Sequence, residues 1–294
     1  MSGALPQPAI AAAYLTACRL EVRALKPGNV HVFAAGHRMS VADFDTSAEV
    51  SAPLVCDPAL PVGKRIRCSV EATFAAVAQN TNLGILLLCA PLAAAAEHPS
   101  PAILADSLKA ILSALTHDDA VDVYSAIAHA NPAGLGTANA GDVRAAPPAH
   151  WTLLDAMRAA AANDMIAAEY ATAFAGVLKA AAQFTAERRA GATPENALSF
   201  VFLQHLANRP DTHIVRKHGP AMAARVQTRA AAVLSSFGNV RATSLATRRH
   251  HDQLMALDSE LKSWDANPGS LADLMCAAAF AANLEELAVN TRAD

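Results

Sequence analysis

Aromatic side chains are scarce in this chain, at 5% of 294 residues, and charged ones make up only 17%. A formal charge of −3 and a pI near 6.4 deny it the global positive field that would hold nucleic acid or an anionic membrane. No CxxC pair occurs: Cys18, Cys56, Cys68, Cys89 and Cys276 stand far apart, and an odd number cannot all pair internally, so free thiols in a reducing compartment are expected. Residues 1–8 lack the basic start of a secretory signal. The longest apolar run, 83–96, is broken by Pro91 and too short to span a bilayer. A cytoplasmic protein with no membrane and no nucleic-acid partner is the expectation. GxxxxGK[ST], GxGxxG, HExxH and GxSxG are all missing, which excludes P-loop, Rossmann, zinc-protease and nucleophile-elbow chemistry.

Alanine fills the gap, at roughly a quarter of the chain. It is the best helix former and is depleted in strands, so the fold class expected is all-α: one Ala-rich domain over 1–294, of about ten helices. Spans are predicted at 8–25, from Ser40 to a stop at Pro53, at 66–79, 83–97, from Pro99 and Pro101 onward, at 118–130, 151–189 as one long helix or two, from Thr193 and Pro194 onward, at 220–237, 240–264 and 271–287. The segments 66–79 and 83–97 are expected at the centre, because they pair apolar density with the polar break Asn80-Thr81-Asn82.

Polar and glycine-containing strings recur at the helix ends: Lys26-Pro27-Gly28-Asn29-Val30-His31, Gly36-His37, Asn80 to Gly84, Gly134 to Asp142, Asp211 to Gly219 and Asn267 to Asp273. Helix ends facing one cavity would build a site, since glycine-exposed amides and helix N-termini bind phosphate, cations add charge, and carboxylates hold magnesium or move protons. The structural alternative is that Asp211 only caps a helix and that Asn80 and Asn82 bridge buried backbone groups. It accounts poorly for Arg209, Arg216 and Lys217 clustering beside Asp211. Two shorter strings, His117-Asp118 and His251-Asp252, suggest a metal-dependent helical phosphohydrolase as the competing enzyme, and a non-catalytic helical nucleotide-binding protein is the third reading.

In this order the strings resemble the triphosphoribosyl-dephospho-CoA synthases, whose members show Lys-Pro-Gly after the first helix, Gly-x-His, an acidic helix leading into Asn-Thr-x-x-Gly, Asp-Thr before Arg-x-Gly, and a closing Pro-Gly-x-Ala-Asp-Leu-like segment. Their counterparts are Lys26-Pro27-Gly28, Gly36-His37, Glu71 before Asn80 to Gly84, Asp211-Thr212 with Arg216, and Pro268 to Leu274. The resemblance implies a transferase that uses ATP as ribosyl donor: a hydroxyl of a cofactor precursor attacks the ribose C1, adenine leaves, and the triphosphate stays on the sugar. It implies Lys26, Arg216 and Lys217 around the triphosphate with Gly28, Asn29, His31, His37, Asn80, Asn82, Gly84, Gly219, Gly269 and Ser270. Glu71, Asp211 and Asp273 are expected to share the tasks of magnesium ligand and base, with Arg216 catalytic beside Asp211; Glu71 is the expected base, because its helix is apolar and a carboxylate surrounded by hydrocarbon has its proton affinity raised. Where the citrate lyase branch continues His-Lys-Gly, this chain has Asn82-Leu83-Gly84; Lys217-His218 intervenes before Gly219, and Ser270 replaces a second glycine. Those departures look like a divergent branch tied to methanopterin-type one-carbon metabolism, so the acceptor expected is dephospho-CoA or, in its place, a pterin-type or other cofactor precursor. The partners implied are small molecules, with a homodimer as a candidate assembly.

Overall fold

The computed structural model describes residues 4–34, 39–98, 104–132, 142–238 and 241–293. Among them there are fourteen α-helices, more than the ten or so expected, and no strand beyond an isolated bridge between His31 and Ala34. In chain order they are α1 (Gln7–Arg23), α2 (Val41–Val55), α3 (Val62–Val77), α4 (Leu83–Ala96), α5 (Leu104–Ser113), α6 (His117–Ala130), α7 (Leu153–Ala160), α8 (Met165–Ala171), α9 (Ala175–Arg189), α10 (Pro194–Asn208), α11 (Thr212–His218), α12 (Pro220–Ser236), α13 (Arg248–Ser263) and α14 (Gly269–Ala293), with a 3-10 turn at Ala242–Ala246.

The extra helices come from local breaks that periodicity does not reveal. The 151–189 stretch divides into three. Asp164 caps α8, and the chain then turns through Ala173 and Phe174 in the left-handed region before α9 departs at 97°. Gly176 makes that corner, since a Cβ there would lie 2.1 Å from the Glu169 carboxylate, which accepts the Val177 amide. Thr247 likewise splits 240–264 by capping α13. Proline acts the other way: α2 continues through Pro53 to Val55, because the carbonyl left without its donor belongs to exposed Glu49 and can turn to water. Pro91 similarly deprives the Leu87 carbonyl inside α4, and the Tyr170 hydroxyl takes it at 2.6 Å.

Two helices form the centre. Every residue of α4 except Gly84 is buried, and α14 is buried without a gap from Leu274 to Ala281. Alanine there lets α1, α4, α9 and α10 approach α14 closely. The expectation for α4 holds, but α3 is only half buried: it packs against α2, α6 and α4 on one face and exposes Glu71, Ala75 and Ala76 on the other. No single helix among the described residues is long and apolar enough to cross a membrane.

Candidate active site

The N-terminal ends of α4 and α14 open on one cavity of about 690 Å³. Its lining combines polar side chains, Glu21, Asn29, Asn80, Asp164, His213, Arg216, Asn267, Ser270 and Asp273 among them, with apolar ones that include Leu83, Leu87, Ile127, Trp151, Met157 and Ile166. Gly84 is there for space: a Cβ on it would lie 2.1 Å from Asp273 Oδ2, so only glycine lets that carboxylate rest on the first turn of α4. Burial pushes the Asp273 carboxyl well above the usual range, and the charges of Glu21, Asp211 and Asp164 push the same way against Arg216. Arg216 lines the cavity and pairs with Asp164, whose other oxygen accepts the Ala167 amide at the start of α8.

Glu21, in the last turn of α1, is 2% exposed. Lys26, fully buried, folds back so that its Nζ lies 3.0 Å from Glu21 Oε1 and donates to the Val30 carbonyl. Burial raises the Glu21 pKa and Lys26 opposes the rise.

Two other buried carboxylates hold these parts in place. Asp211 Oδ1 accepts the amides of His213 and Ile214, capping α11, while Oδ2 accepts the Leu271 amide at 2.8 Å and so ties α11 to the start of α14. Burial lifts its pKa to about 6 even with those three donors. Asp258 on α13 accepts the Gly28 amide, lies 3.1 Å from His31 Nε2 and accepts from Lys262. Burial pushes the Asp258 carboxyl up, but His31, Lys262 and Gly28 together hold it below its ordinary value. Asn29 then reaches Asn267 with its Nδ2 at 2.8 Å, which joins the first polar string to the last.

Residues 7–292 match the model of the family described as ATP:dephospho-CoA triphosphoribosyl transferase. This chain belongs to that family. A curated relative from Stutzerimonas stutzeri (strain A1501), named a probable 2-(5''-triphosphoribosyl)-3'-dephosphocoenzyme-A synthase, is 39% identical over 98 residues, 33% of this chain and 32% of its own length. A Pseudomonas putida protein of the same name is 38% identical over 98 residues, 33% of each. The match thus spans about a third of these curated relatives. A crystal structure from Archaeoglobus fulgidus that carries the name of a triphosphoribosyl-dephospho-CoA synthase superposes with a TM-score of 0.60 at 20% identity, covering 80% of this chain and 96% of that one, and shows the shared fold.

Of the residues that the family resemblance marked, Asn29, Asn80, Gly84, Arg216, Gly269, Ser270 and Asp273 meet at the cavity. Others do not. Glu71 is exposed on α3, paired with Arg67 at 2.8 Å, because the face of α3 that carries it looks outward rather than into hydrocarbon. Asp211 is a double helix cap, as the structural alternative held. Lys26 sits behind Glu21, and Lys217 reaches outward to Asp265 at 2.6 Å. Gly219 joins α11 to α12 with φ +84° and open space around it. The Gly28 amide is taken by Asp258, and a Cβ there would meet the Ala266 carbonyl at 2.7 Å. His31 is buried against Asp258, and Asn82 donates to Thr73, bridging α3 and α4. His37 lies outside the described residues.

The cation cluster also disperses: Arg209 lies 3.9 Å from Glu169, Arg216 faces Asp164 and Lys217 faces Asp265. The three carboxylates expected to hold magnesium do not converge, and among the described residues no group of three acidic, histidine or cysteine side chains could hold a metal. The phosphohydrolase pairs fare no better. His117 Nδ1 is bonded to the Trp151 carbonyl, and His251 stacks edge-on against Phe33. His213 and Asn267 lie within two of the helix-end strings without having been singled out, and Glu21 and Asp164 were not foreseen. The five-residue spacing of Glu21 and Lys26 across the end of α1 was the available signal for one of them.

Proposed function

We propose that this protein, acting as one domain over 1–294, transfers the triphosphoribosyl group of ATP to a hydroxyl of a cofactor precursor and releases adenine. The observation that carries this is the convergence of four separate strings of the chain on one cavity, with Arg216, Asp273, Asn29 and the end of α14 on its wall. Arg216 anchors phosphate oxygens by charge-assisted hydrogen bonds, aided by the Gly269–Ser270 end of a 25-residue helix, where the aligned peptide dipoles favour an anion. Asp273, held toward its protonated form, donates a proton to the ring nitrogen of the departing adenine. Magnesium travels with the nucleotide, held by phosphate oxygens, a mode that needs no protein cage.

The acceptor is a pterin-type or other flat, weakly charged precursor rather than dephospho-CoA. Leu83 supports this, for it joins Leu87 and Trp151 in the lining of the cavity and offers a flat ring van der Waals contact in place of a charge for an anion. The test is to incubate the purified protein with ATP and magnesium, alone and with dephospho-CoA or a pterin alcohol, and to measure free adenine. Adenine released only with an acceptor is the expected result, and phosphate released in its place overturns the assignment. Faster turnover of dephospho-CoA than of the pterin overturns the acceptor.

A further inference from the structure

Buried carboxylates in this protein sort by whether their oxygens are engaged. Asp211 holds three amides, Asp258 holds Gly28, His31 and Lys262, and Asp119 accepts the Gly63 amide on one oxygen and the amide and hydroxyl of Thr116 on the other. These are structural ties with no oxygen left over. Glu21 differs: Oε1 faces Lys26, but Oε2 is buried with no hydrogen-bond partner, on a residue that lines the cavity. An unmade hydrogen bond to a buried carboxylate oxygen is costly, and on a residue that lines a cavity it leaves an acceptor for whatever the cavity binds.

We propose that Glu21 is the catalytic base of the transfer and that Lys26 is its positioning residue. The inference rests on the transfer reading given above. In the step, a lone pair of the acceptor's hydroxyl oxygen forms the bond to C1 of the ribose, the bond from C1 to the adenine nitrogen breaks, and its electron pair leaves with adenine. The hydroxyl proton passes to Glu21 Oε2, and adenine gains its proton from Asp273. Glu21 then returns a proton to Asp273 through the water that refills the cavity, so no proton is gained or lost over the cycle. Lys26 performs two tasks. It holds Oε1 so that Oε2 is the free oxygen, and it keeps Glu21 ionised where burial would otherwise protonate it. A hydroxyl requires such a base, whereas an acceptor that is already an anion does not.

The experiment measures adenine release by the full-length protein across pH, with the acceptor that the wild-type protein turns over, alongside ATP affinity by calorimetry. Glu21→Gln is expected to lower kcat by a factor of about 100 to 10,000, the range for a lost general base, with ATP affinity within about threefold of wild type. Lys26→Met is expected to move the acid limb of the kcat profile up by at least about one pH unit, which a merely structural lysine would not do. Should Glu21→Gln leave Lys26 uncompensated and fail to fold, the double variant Glu21→Gln/Lys26→Met removes both charges and carries the same expectation. A folded variant that keeps kcat within about tenfold, or an acid limb unmoved in Lys26→Met, overturns the assignment of Glu21. A wild-type protein that releases no adenine with any acceptor overturns the transfer reading itself, a result that the variants do not share.

Discussion

Asp211 links the two helix ends that carry Arg216 and Asp273, and its titration can be worked out in advance. Its pKa rises from 3.8 to about 6 on folding, because burial outweighs the three amides that favour the charged form. A group whose folded pKa lies above its unfolded value adds stability at low pH and loses it as pH rises through the folded value. The whole displacement amounts to about 3 kcal/mol, of which about 2 kcal/mol is lost between pH 4.5 and 7.5. Asp211→Asn removes the titration. Its amide oxygen can still accept from His213 and Ile214, while its NH₂ opposes the Leu271 amide, at a constant cost of about 1–3 kcal/mol. Urea unfolding at pH 4.5, 6.0 and 7.5 should therefore find the variant less stable at the lowest pH, with its deficit against wild type shrinking by about 2 kcal/mol toward pH 7.5. A deficit constant to within about 0.5 kcal/mol would refute the argument, for it would mean that Asp211 is not buried as an ion in the folded protein.

Three further outcomes follow from the same geometry. Arg216→Ala should weaken ATP binding by at least about 1.5 kcal/mol, or more than tenfold, by calorimetry, since one cation faces the cavity among its described lining; unchanged affinity would remove it from the phosphate site. Gly84→Ala should displace the Asp273 carboxylate, lowering kcat by at least tenfold and stability by about 1–3 kcal/mol on thermal melting, because its Cβ has no room beside that side chain; a fully active variant would place Asp273 elsewhere. Glu71→Gln should leave kcat within about twofold and cost no more than about 0.5 kcal/mol, as expected for an exposed pair of residues one turn apart; a large loss of turnover would restore Glu71 to the mechanism.

What could be read from the residues in order was whatever depends on near neighbours. Alanine content set the helical class, Thr193 with Pro194 marked the start of α10, and the apolar run at 83–96 marked a core helix. The family was legible too, because short strings at helix ends keep their order along a chain whatever the packing between them. Helix number was not. The break before Ala175 depends on the Glu169 carboxylate meeting Val177 and Gly176, and the persistence of α2 past Pro53 depends on Glu49 facing water.

The candidate site divides along the same line. Sequence alone established that Asn80 to Gly84, Asp211 to Gly219 and Asn267 to Asp273 are helix-end strings rich in groups that bind anions and protons. It could not say which of those groups faces inward. Lys26 and Lys217 are alike as letters, yet one is buried against Glu21 and the other reaches Asp265 at the surface, and Glu71 was expected to be the base because a helix pattern does not show which apolar face lies at the centre. Only tertiary structure decided that Glu21 and Asp273, from opposite ends of the chain, line one cavity. A carboxylate's chemistry there comes from burial and from the charges around it, and both are properties of long-range packing rather than of the residue itself.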